Sequence, residues 1–398
     1  MAAFGFNMFN RTLHFDLPQG QSIFLWGARQ TGKSSFLKKY FKNSIYYDLL
    51  DTKQVIEFTR YPHLLREQLL SKSAKELSNP IIIDEIQKTP NLLNEVHWLI
   101  ENKKMQFILC GSSARKLKAQ ATNLLGGRAW PYYFHPLTSQ EIPNIDLLKT
   151  LQHGLLPNHY LSEPKYINDR LQAYIEIYLT DEIRNEGLVR NLTGFARFLD
   201  LSGFCNTQMI NISNIARDCH IDRATVKGYF QILIDTLLGF FVQPYAKKIK
   251  RDIIASAPKF YLFDIGVANY LTKQEVTTLQ GSVAGNSFEH FIFMELIAYK
   301  NYQRKRFDIT YWRTKTGLEV DFILGDGDIA IEVKISKLVH KQDLKGLIAF
   351  CEEHNPKSAF VVSQDPSRRV LDINETTQIH IIPWREFLSM LWSGLVIS

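Results

Sequence analysis

The sequence lacks the segments that would place it in or across a membrane. No apolar run approaches the roughly 18 residues that a spanning helix needs. The N-terminal residues contain no basic segment followed by an apolar stretch. Cysteine is scarce, and the four cysteines match neither a metal-ligand spacing nor a disulfide framework. These absences predict a cytoplasmic protein with reduced thiols and no membrane contact.

The chain also contains no internal repeat and no low-complexity tract. A length of 398 residues predicts two or three domains, each with its own core. Proline-punctuated polar residues at 142–165 and a cluster of small polar residues at 272–286 mark two boundaries. We therefore predict domains at 1–150, 151–275 and 276–398. The excess of 47 basic over 40 acidic residues permits a nucleic-acid partner but is spread thinly.

The most informative motif is Gly-Ala-Arg-Gln-Thr-Gly-Lys-Ser at 27–34, between an apolar run and a helical pattern. This strand, glycine loop and helix are typical of a phosphate-binding loop. Gly27 and Gly32 let the backbone approach a triphosphate, Lys33 would reach its β- and γ-phosphates, and Ser34 would ligate Mg²⁺. The predicted cofactors are ATP and Mg²⁺. The predicted nucleotide site comprises Gly27, Ala28, Arg29, Gln30, Thr31, Gly32, Lys33, Ser34, Ser35, Asp84 and Ser112.

A second motif predicts hydrolysis of the bound nucleotide. The apolar run Pro80–Ile83 reads as a buried parallel strand, and Asp84 and Glu85 follow at its carboxyl end. We expect Asp84 to hold Mg²⁺ and Glu85 to polarise the attacking water. Ser112, after a third apolar run, is either a γ-phosphate contact or a plain helix cap. Arg128 is either an arginine finger acting on a neighbouring copy in a homo-oligomer or an ordinary surface arginine.

The middle segment, residues 208–239, has the pattern of a helix-turn-helix. Asp222 would cap a second helix whose outer face carries polar and basic side chains. A basic run follows between two strand-like segments, where a winged helix has its wing. The alternative is an all-helical spacer whose basic face is merely solvated, since many modules of this kind bind protein instead of DNA. The predicted DNA contacts are Arg223, Thr225, Lys227, Lys247, Lys248, Lys250 and Arg251.

The C-terminal segment contains a hairpin at 318–335 around the Gly/Asp turn 325–328. The turn sets Asp321 opposite Glu332 and Glu319 opposite Lys334 on one face. The other face would carry Val320, Phe322, Ile331 and Val333.

Carboxylates directly opposite lie about 4.5–5.5 Å apart and repel unless a cation lies between them. We therefore predict metal ligands at Asp321 and Glu332, with Glu289 as a third. Lys334 would steady a metal-bound hydroxide or the phosphate charge. The alternative is a solvated hairpin in which Glu319 and Lys334 form a simple cross-strand pair.

Seven motifs together resemble those of prokaryotic ATPases that join an AAA-type P-loop domain to a domain of unknown function, DUF4143. They are GARQTGKSS, IIIDEIQK, FILCGSSARKL, LLGGRAW with HPLTSQE, GNSFEHFIFMEL, TGLEVDFI and IAIEVK. The resemblance implies an α/β ATPase core of the additional-strand, catalytic-glutamate type, a winged helix and a domain similar to the PD-(D/E)xK nucleases. It assigns nucleotide roles to Gly27, Gly32, Lys33, Ser34, Asp84 and Glu85, the family's Gly-Arg position to Arg128, and the nuclease acids and lysine to Glu289, Asp321, Glu332 and Lys334.

These features favour a magnesium-dependent ATPase that engages DNA as a remodelling, repair or recombination motor. A sharper version adds metal-dependent cleavage of DNA at Asp321 and Glu332. The alternative is an ATP-driven signalling or defence switch whose C-terminal domains bind protein and cut no DNA.

Overall fold

The computed structural model describes residues 9–16, 18, 20–112, 125–179, 191–246, 257–373 and 378–397. These residues fall into two compact units. The first unit lies within 1–137 and includes the short return segment 235–238, and the second contains the rest. None of the described helices combines the length and the apolar character that crossing a bilayer requires.

The first unit is built on a five-stranded parallel sheet in which the strand order is β2-β3-β4-β1-β5. In this order, β4 lies between β1, which precedes the glycine loop, and β3, which leads into the acid pair Asp84 and Glu85. Three strands, β1, β3 and β4, are buried along their whole length, as expected of parallel strands covered on both faces. The predicted α/β P-loop fold is therefore confirmed. The strands are Ser22–Trp26 (β1), Tyr46–Asp48 (β2), Ile81–Asp84 (β3), Phe107–Gly111 (β4) and Ala129–Tyr133 (β5).

The second, third and fourth helices pack against this sheet through a shared apolar cluster. Phe58 of the second helix, Leu65 of the third and Val96 of the fourth all belong to the core that covers β3 and β4. The second helix begins where the Asp51 carboxylate accepts a hydrogen bond from the Lys53 amide. The helices of this unit are Lys33–Tyr40 (α1), Thr52–Arg60 (α2), Leu64–Leu70 (α3) and Leu92–Lys103 (α4).

The second unit contains a nine-stranded mixed sheet with the order β13-β14-β12-β11-β10-β9-β7-β8-β6. The strands of the second and third predicted domains are thus joined in one sheet, through parallel pairing of β7 with β9. The three-domain division stays a prediction. The strands are Gln208–Met209 (β6), Gly239–Pro244 (β7), Lys259–Leu262 (β8), Ile309–Arg313 (β9), Glu319–Leu324 (β10), Ile329–Lys334 (β11), Ser358–Ser363 (β12), Arg369–Asp372 (β13) and Gln378–Pro383 (β14).

Two helices, Ile212–Cys219 (α9) and Arg223–Asp235 (α10), lie where a helix-turn-helix is predicted, and that motif stays a prediction. The Asn211 carboxamide caps α9, His220 ends α9 in the left-handed conformation, and the Asp222 carboxylate accepts the Thr225 amide at the start of α10. The helices are Leu147–His153 (α5), Pro157–Tyr160 (α6), Ile167–Ala173 (α7), Leu192–Phe204 (α8), Ile212–Cys219 (α9), Arg223–Asp235 (α10), Ile265–Thr272 (α11), Gly281–Tyr302 (α12), Lys345–His354 (α13) and Trp384–Trp392 (α14).

The predicted hairpin is present, with a bulge in its first strand. The predicted register is found at three pairs, Phe322 with Ile331, Ile323 with Ala330 and Leu324 with Ile329. The pairing of β10 with β9 shifts between Val320 and Ile323. Val320 therefore packs in one cluster with Ile323 and Ala330, whereas Phe322 stacks on Phe293 of α12. The prediction that Val320 and Phe322 share a face is wrong, because the extra residue reverses the alternation.

Candidate functional site

The glycine loop after β1 has the close-packed backbone that a phosphate cradle requires. A Cβ atom on Gly27 would lie 2.4 Å from the carbonyl oxygen of Phe134, so only glycine fits there. Gly32 caps the start of α1 with a φ of 95°, in the left-handed region that glycine adopts at least cost. Helix α1 follows directly, and its N-terminal amides carry partial positive charge. The loop geometry fits a triphosphate.

Lys33 is buried at the base of the loop. Its Nζ donates to the carbonyl oxygens of Gly27 at 2.6 Å and Ala28 at 2.9 Å. The Thr31 hydroxyl also donates to Ala28, which ties the two ends of the loop together. The ammonium group is therefore held within the loop, where a phosphate can replace the carbonyl oxygens as its partner.

Arg11 fixes the loop from outside, and the sequence motifs do not indicate it. Its guanidinium donates to the Thr31 carbonyl and to the His135 carbonyl, both at 2.6 Å, and lies 4.0 Å from the centre of the Phe134 ring. Arg11 is nine-tenths buried or more. It thus links the loop to the chain that follows β5, and no local pattern around residue 11 carries that information.

The two predicted magnesium ligands of the first unit lie close together. Asp84 is buried at the end of β3, and the Tyr46 hydroxyl of β2 donates to its Oδ2. Burial and the nearby Asp84 carboxylate raise the pKa of Tyr46 far above its usual value, while the Ser34 hydroxyl acts on it in the opposite direction. Tyr46 therefore stays a hydrogen-bond donor beside Ser34 and Asp84. A lysine, a hydroxyl and a carboxylate at a glycine loop are a donor set that fits ATP with Mg²⁺.

Glu85, Gln87 and Ser112 form a second polar group at the ends of β3 and β4. Gln87 Nε2 donates to Glu85 Oε2 and, at 2.9 Å, to the Ser112 hydroxyl. Gly111 permits this approach, since a Cβ there would lie 2.7 Å from Gln87 Oε1. Glu85 itself has a φ of 58°, a strained conformation for a residue with a side chain. The structure thus brings the predicted base and Ser112 together through Gln87, which the sequence interpretation did not single out.

Arg128 lies just before β5 and is partly exposed. Its Nε contacts the Glu101 carboxylate, and Nη1 lies 3.4 Å from the carbonyl of Gly126. A role on a neighbouring copy requires Arg128 to leave Glu101, and this role stays a prediction.

The predicted DNA contacts fall partly on α10. Arg223 and Lys227 are exposed and four residues apart, so they lie on one face of the helix. Thr225 is half-buried and its hydroxyl donates to Asp222, which makes it part of the helix cap. The basic run Lys247, Lys248, Lys250 and Arg251 lies outside the described residues.

The predicted metal ligands of the second unit surround a lysine. Lys259 of β8 is 2% exposed, and its Nζ lies 3.1 Å from Glu289 Oε1, 3.8 Å from Asp321 Oδ1 and in contact with Glu319 Oε1. Glu289 Oε1 also accepts the Tyr261 hydroxyl at 2.6 Å. The sequence interpretation missed Lys259, because a single lysine in a strand has no distinguishing pattern.

The remaining members of this cluster are paired differently from the prediction. Glu319 contacts Lys259 and, at 2.7 Å, Arg313, whereas Lys334 lies 2.6 Å from Glu332 Oε1. The proposed Glu319–Lys334 cross-strand pair is therefore wrong, because Lys259 and Arg313 are the cations that packing brings to Glu319. Asp321 Oδ2 accepts the Val333 amide at 2.8 Å, across the hairpin.

Burial dominates the electrostatics of the cluster. It raises the pKa of Glu332 to about 8, with Asp321 adding to the rise, and it raises the pKa of Asp321. Burial alone would lower the pKa of Lys259, but the attraction of Glu289, Asp321 and Glu319 raises it well above its usual value. Lys259 is therefore charged. Among the described residues, no group of three or more His, Cys, Asp or Glu is arranged to hold a metal ion. The metal-ligand roles stay predictions.

Three family models match consecutive parts of the chain. An AAA domain (AAA_14) matches residues 19–143, a domain of unknown function (DUF8612) matches 144–278, and a second domain of unknown function (DUF4143) matches 284–387. No curated protein matches the chain.

The solved structures that match the chain include a Walker-type ATPase of Pyrococcus abyssi and the Orc1 protein of Aeropyrum pernix, the latter in complex with DNA. The first is 15% identical, with a TM-score of 0.43, over 63% of this chain and 90% of that one. The second is 14% identical, with a TM-score of 0.28, over 64% and 86%. At these scores, neither likeness carries an argument about activity.

Proposed function

Because the chain belongs to the AAA-type P-loop ATPases that combine an AAA domain with a DUF4143 domain, we propose that it couples its ATP hydrolysis to work on bound DNA. The hydrolase activity follows from the family. What we propose beyond the hydrolase activity is that the protein engages DNA, as a motor in DNA remodelling, repair or recombination. DNA cleavage at Asp321 and Glu332 is not part of it.

The hydrolytic step is assigned to residues of the first unit. Ser34 and Asp84 would hold Mg²⁺, which would supply positive charge beside the phosphates when bound. Lys33 would exchange the carbonyl oxygens of Gly27 and Ala28 for phosphate oxygens. Glu85 would accept the proton of the attacking water as the general base, and the hydrogen bond from Gln87 orients the Glu85 carboxylate.

The exposed basic face of α10 carries the proposal that DNA is bound. Arg223 and Lys227 lie one helical turn apart on it, and the Asp222 cap fixes where the helix begins. The order of elements around α10 is helix, short strand, two helices and two antiparallel strands, which is typical of a winged helix. In such a motif, the second helix of the helix-turn-helix enters the major groove. Positive side chains on this helix would pair with phosphates.

The test is DNA binding by the full chain, measured by fluorescence anisotropy across a salt series. The variant Arg223→Ala/Lys227→Ala should bind duplex DNA about tenfold more weakly, and its salt slope should fall by about two, since each lost phosphate contact removes about one unit. The control Lys165→Ala/Lys357→Ala removes the same charge from two exposed lysines outside α10 and should bind as the wild type does.

The ATPase rate is measured with the same proteins. DNA should raise the ATPase rate of the wild type and of the control. It should raise the ATPase rate of the α10 variant only at higher DNA concentration. If the α10 variant and the control bind DNA equally, the proposed contact surface is wrong. If wild type shows neither salt-dependent binding nor stimulation, the proposal fails and the protein-binding switch is favoured.

A further inference from the structure

The carboxylate cluster of the second unit is built around a lysine of the chain itself. We propose that the Lys259 ammonium is the resident cation of this cluster, in the position that a divalent metal would otherwise take. The site then serves as an ionic joint that ties β8 to α12 and to the β10–β11 hairpin. This inference rests on the contacts of Lys259 and is independent of whether α10 binds DNA.

The distances within the cluster suit an ammonium group. Nζ lies 3.1 Å from Glu289 Oε1 and 3.8 Å from Asp321 Oδ1, which are ion-pair separations. Carboxylate oxygens that ligate Mg²⁺ or Ca²⁺ lie at about 2.0–2.6 Å from the metal. The cluster would therefore have to contract around a metal, and Lys259 would have to leave first.

The second reason is the charge of Lys259 and its burial. The ammonium is almost fully enclosed, and it lies within ion-pair distance of the carboxylates of Glu289, Glu319 and Asp321. A divalent ion entering between the same oxygens would meet this positive charge at close range, and the low polarity of the surroundings would strengthen the repulsion. The lysine and a metal therefore exclude one another.

The cluster also retains an acceptor that a new cation could use. Glu332 Oε1 pairs with Lys334, but its buried Oε2 has no hydrogen-bond partner among the described residues. Loss of the Lys259 charge would leave Glu289, Glu319 and Asp321 short of one cation, and buried carboxylates without a partner are strongly unfavourable. We therefore expect the cluster without Lys259 to take up a divalent cation.

The test compares Mn²⁺ binding and thermal unfolding of the full chain, without nucleotide or DNA. Every protein carries Asp84→Asn, so that Mn²⁺ binding at the acid of the ATP site does not add to the signal. The reference protein should bind no Mn²⁺ at the cluster, and Asp321→Asn should leave its Mn²⁺ titration unchanged. Lys259→Met should lower Tm, and Mn²⁺ should restore several degrees of it, because a ligand that binds only the folded state stabilises it. Adding Asp321→Asn to Lys259→Met should abolish this effect.

Lys259→Arg is the control that keeps the charge, and it should fold without responding to Mn²⁺. If the reference protein binds Mn²⁺ and Asp321→Asn removes that binding, the proposal is overturned, since a metal then occupies the cluster beside the lysine. A folded Lys259→Met protein that Mn²⁺ does not stabilise also overturns it. Neither result bears on DNA binding by α10.

Discussion

Around the predicted nucleotide site, single residues orient the two acids that are expected to carry the chemistry. Glu85 stands in the left-handed conformation, and Gln87 holds one of its oxygens while it also contacts Ser112. Tyr46 does the same for Asp84 from the neighbouring strand. Each acid therefore has a neutral donor that fixes its direction without neutralising its charge.

Replacement of Glu85 by glutamine tests its assignment as the general base. We expect Glu85→Gln to bind ATP with unchanged affinity and to turn it over about 10²–10³-fold more slowly, since an amide cannot accept the proton of water. Fluorescent-nucleotide binding and single-turnover hydrolysis measure the two effects separately. Lys88→Gln, at an exposed position on the same short turn, is the control and should retain the wild-type rate. A wild-type rate for Glu85→Gln would show that another residue is the base.

At the scale of elements, the junction before α11 depends on close backbone contacts. The buried Asp264 carboxylate accepts the amides of Leu155, Leu156 and Val267, so it caps α11 and also holds the chain after α5. A Cβ atom on Gly266 would lie 2.4 Å from the carbonyl oxygen of His153. The junction thus tolerates no side chain at 266.

Two glycine-to-alanine changes in helices should therefore have opposite effects. Gly266→Ala should lower the free energy of unfolding by about 1–3 kcal/mol, because the added Cβ would clash with backbone atoms, which cannot move aside as a side chain could. Gly228→Ala is the matched control, since nothing lies within 4 Å of its added Cβ in α10, and alanine there should raise stability by about 0.5–1 kcal/mol. Urea unfolding midpoints give both values. A Gly266→Ala protein as stable as the wild type would contradict the described junction.

At the scale of the whole molecule, buried titratable groups make stability depend on pH in two opposing ways. Burial lowers the pKa of His290 and of His159 to about 4, so the unfolded chain binds their protons first as the pH falls below about 6.5. Burial raises the pKa of Glu295 to about 7 and of Asp264 to about 6. As the pH falls, these two carboxylates therefore take up protons in the folded chain before they do so in the unfolded chain. Acidification therefore destabilises the fold through the histidines and stabilises it through the two acids.

His290→Gln isolates the histidine contribution. Neutral His290 donates from Nε2 to the Leu262 carbonyl at 2.6 Å and accepts at Nδ1 from Asn206, so protonation would break this arrangement. Between pH 7 and pH 5 we expect the wild type to lose about 2 kcal/mol more of its free energy of unfolding than the variant loses. Urea titrations at the two pH values provide the four numbers. Equal losses in both proteins would show that His290 is protonated in the folded state.

The sequence by itself determined the features that depend on neighbouring residues. The spacing of Gly27, Gly32 and Lys33 sets the course of the loop, because only glycine permits its backbone. The apolar run before Asp84 predicts a buried parallel strand, and the turn 325–328 sets the hairpin register. These are short-range effects, so the sequence alone was enough to predict them.

The tertiary structure alone decided which distant groups meet. Lys259, Glu289 and Asp321 come from three elements that only the packing of the second unit brings together, and the bulge before Ile323 depends on the pairing with β9. The partner of a buried charge follows from which elements surround it. No local pattern around Lys259 could have indicated that a lysine lies among the acids where a metal was expected.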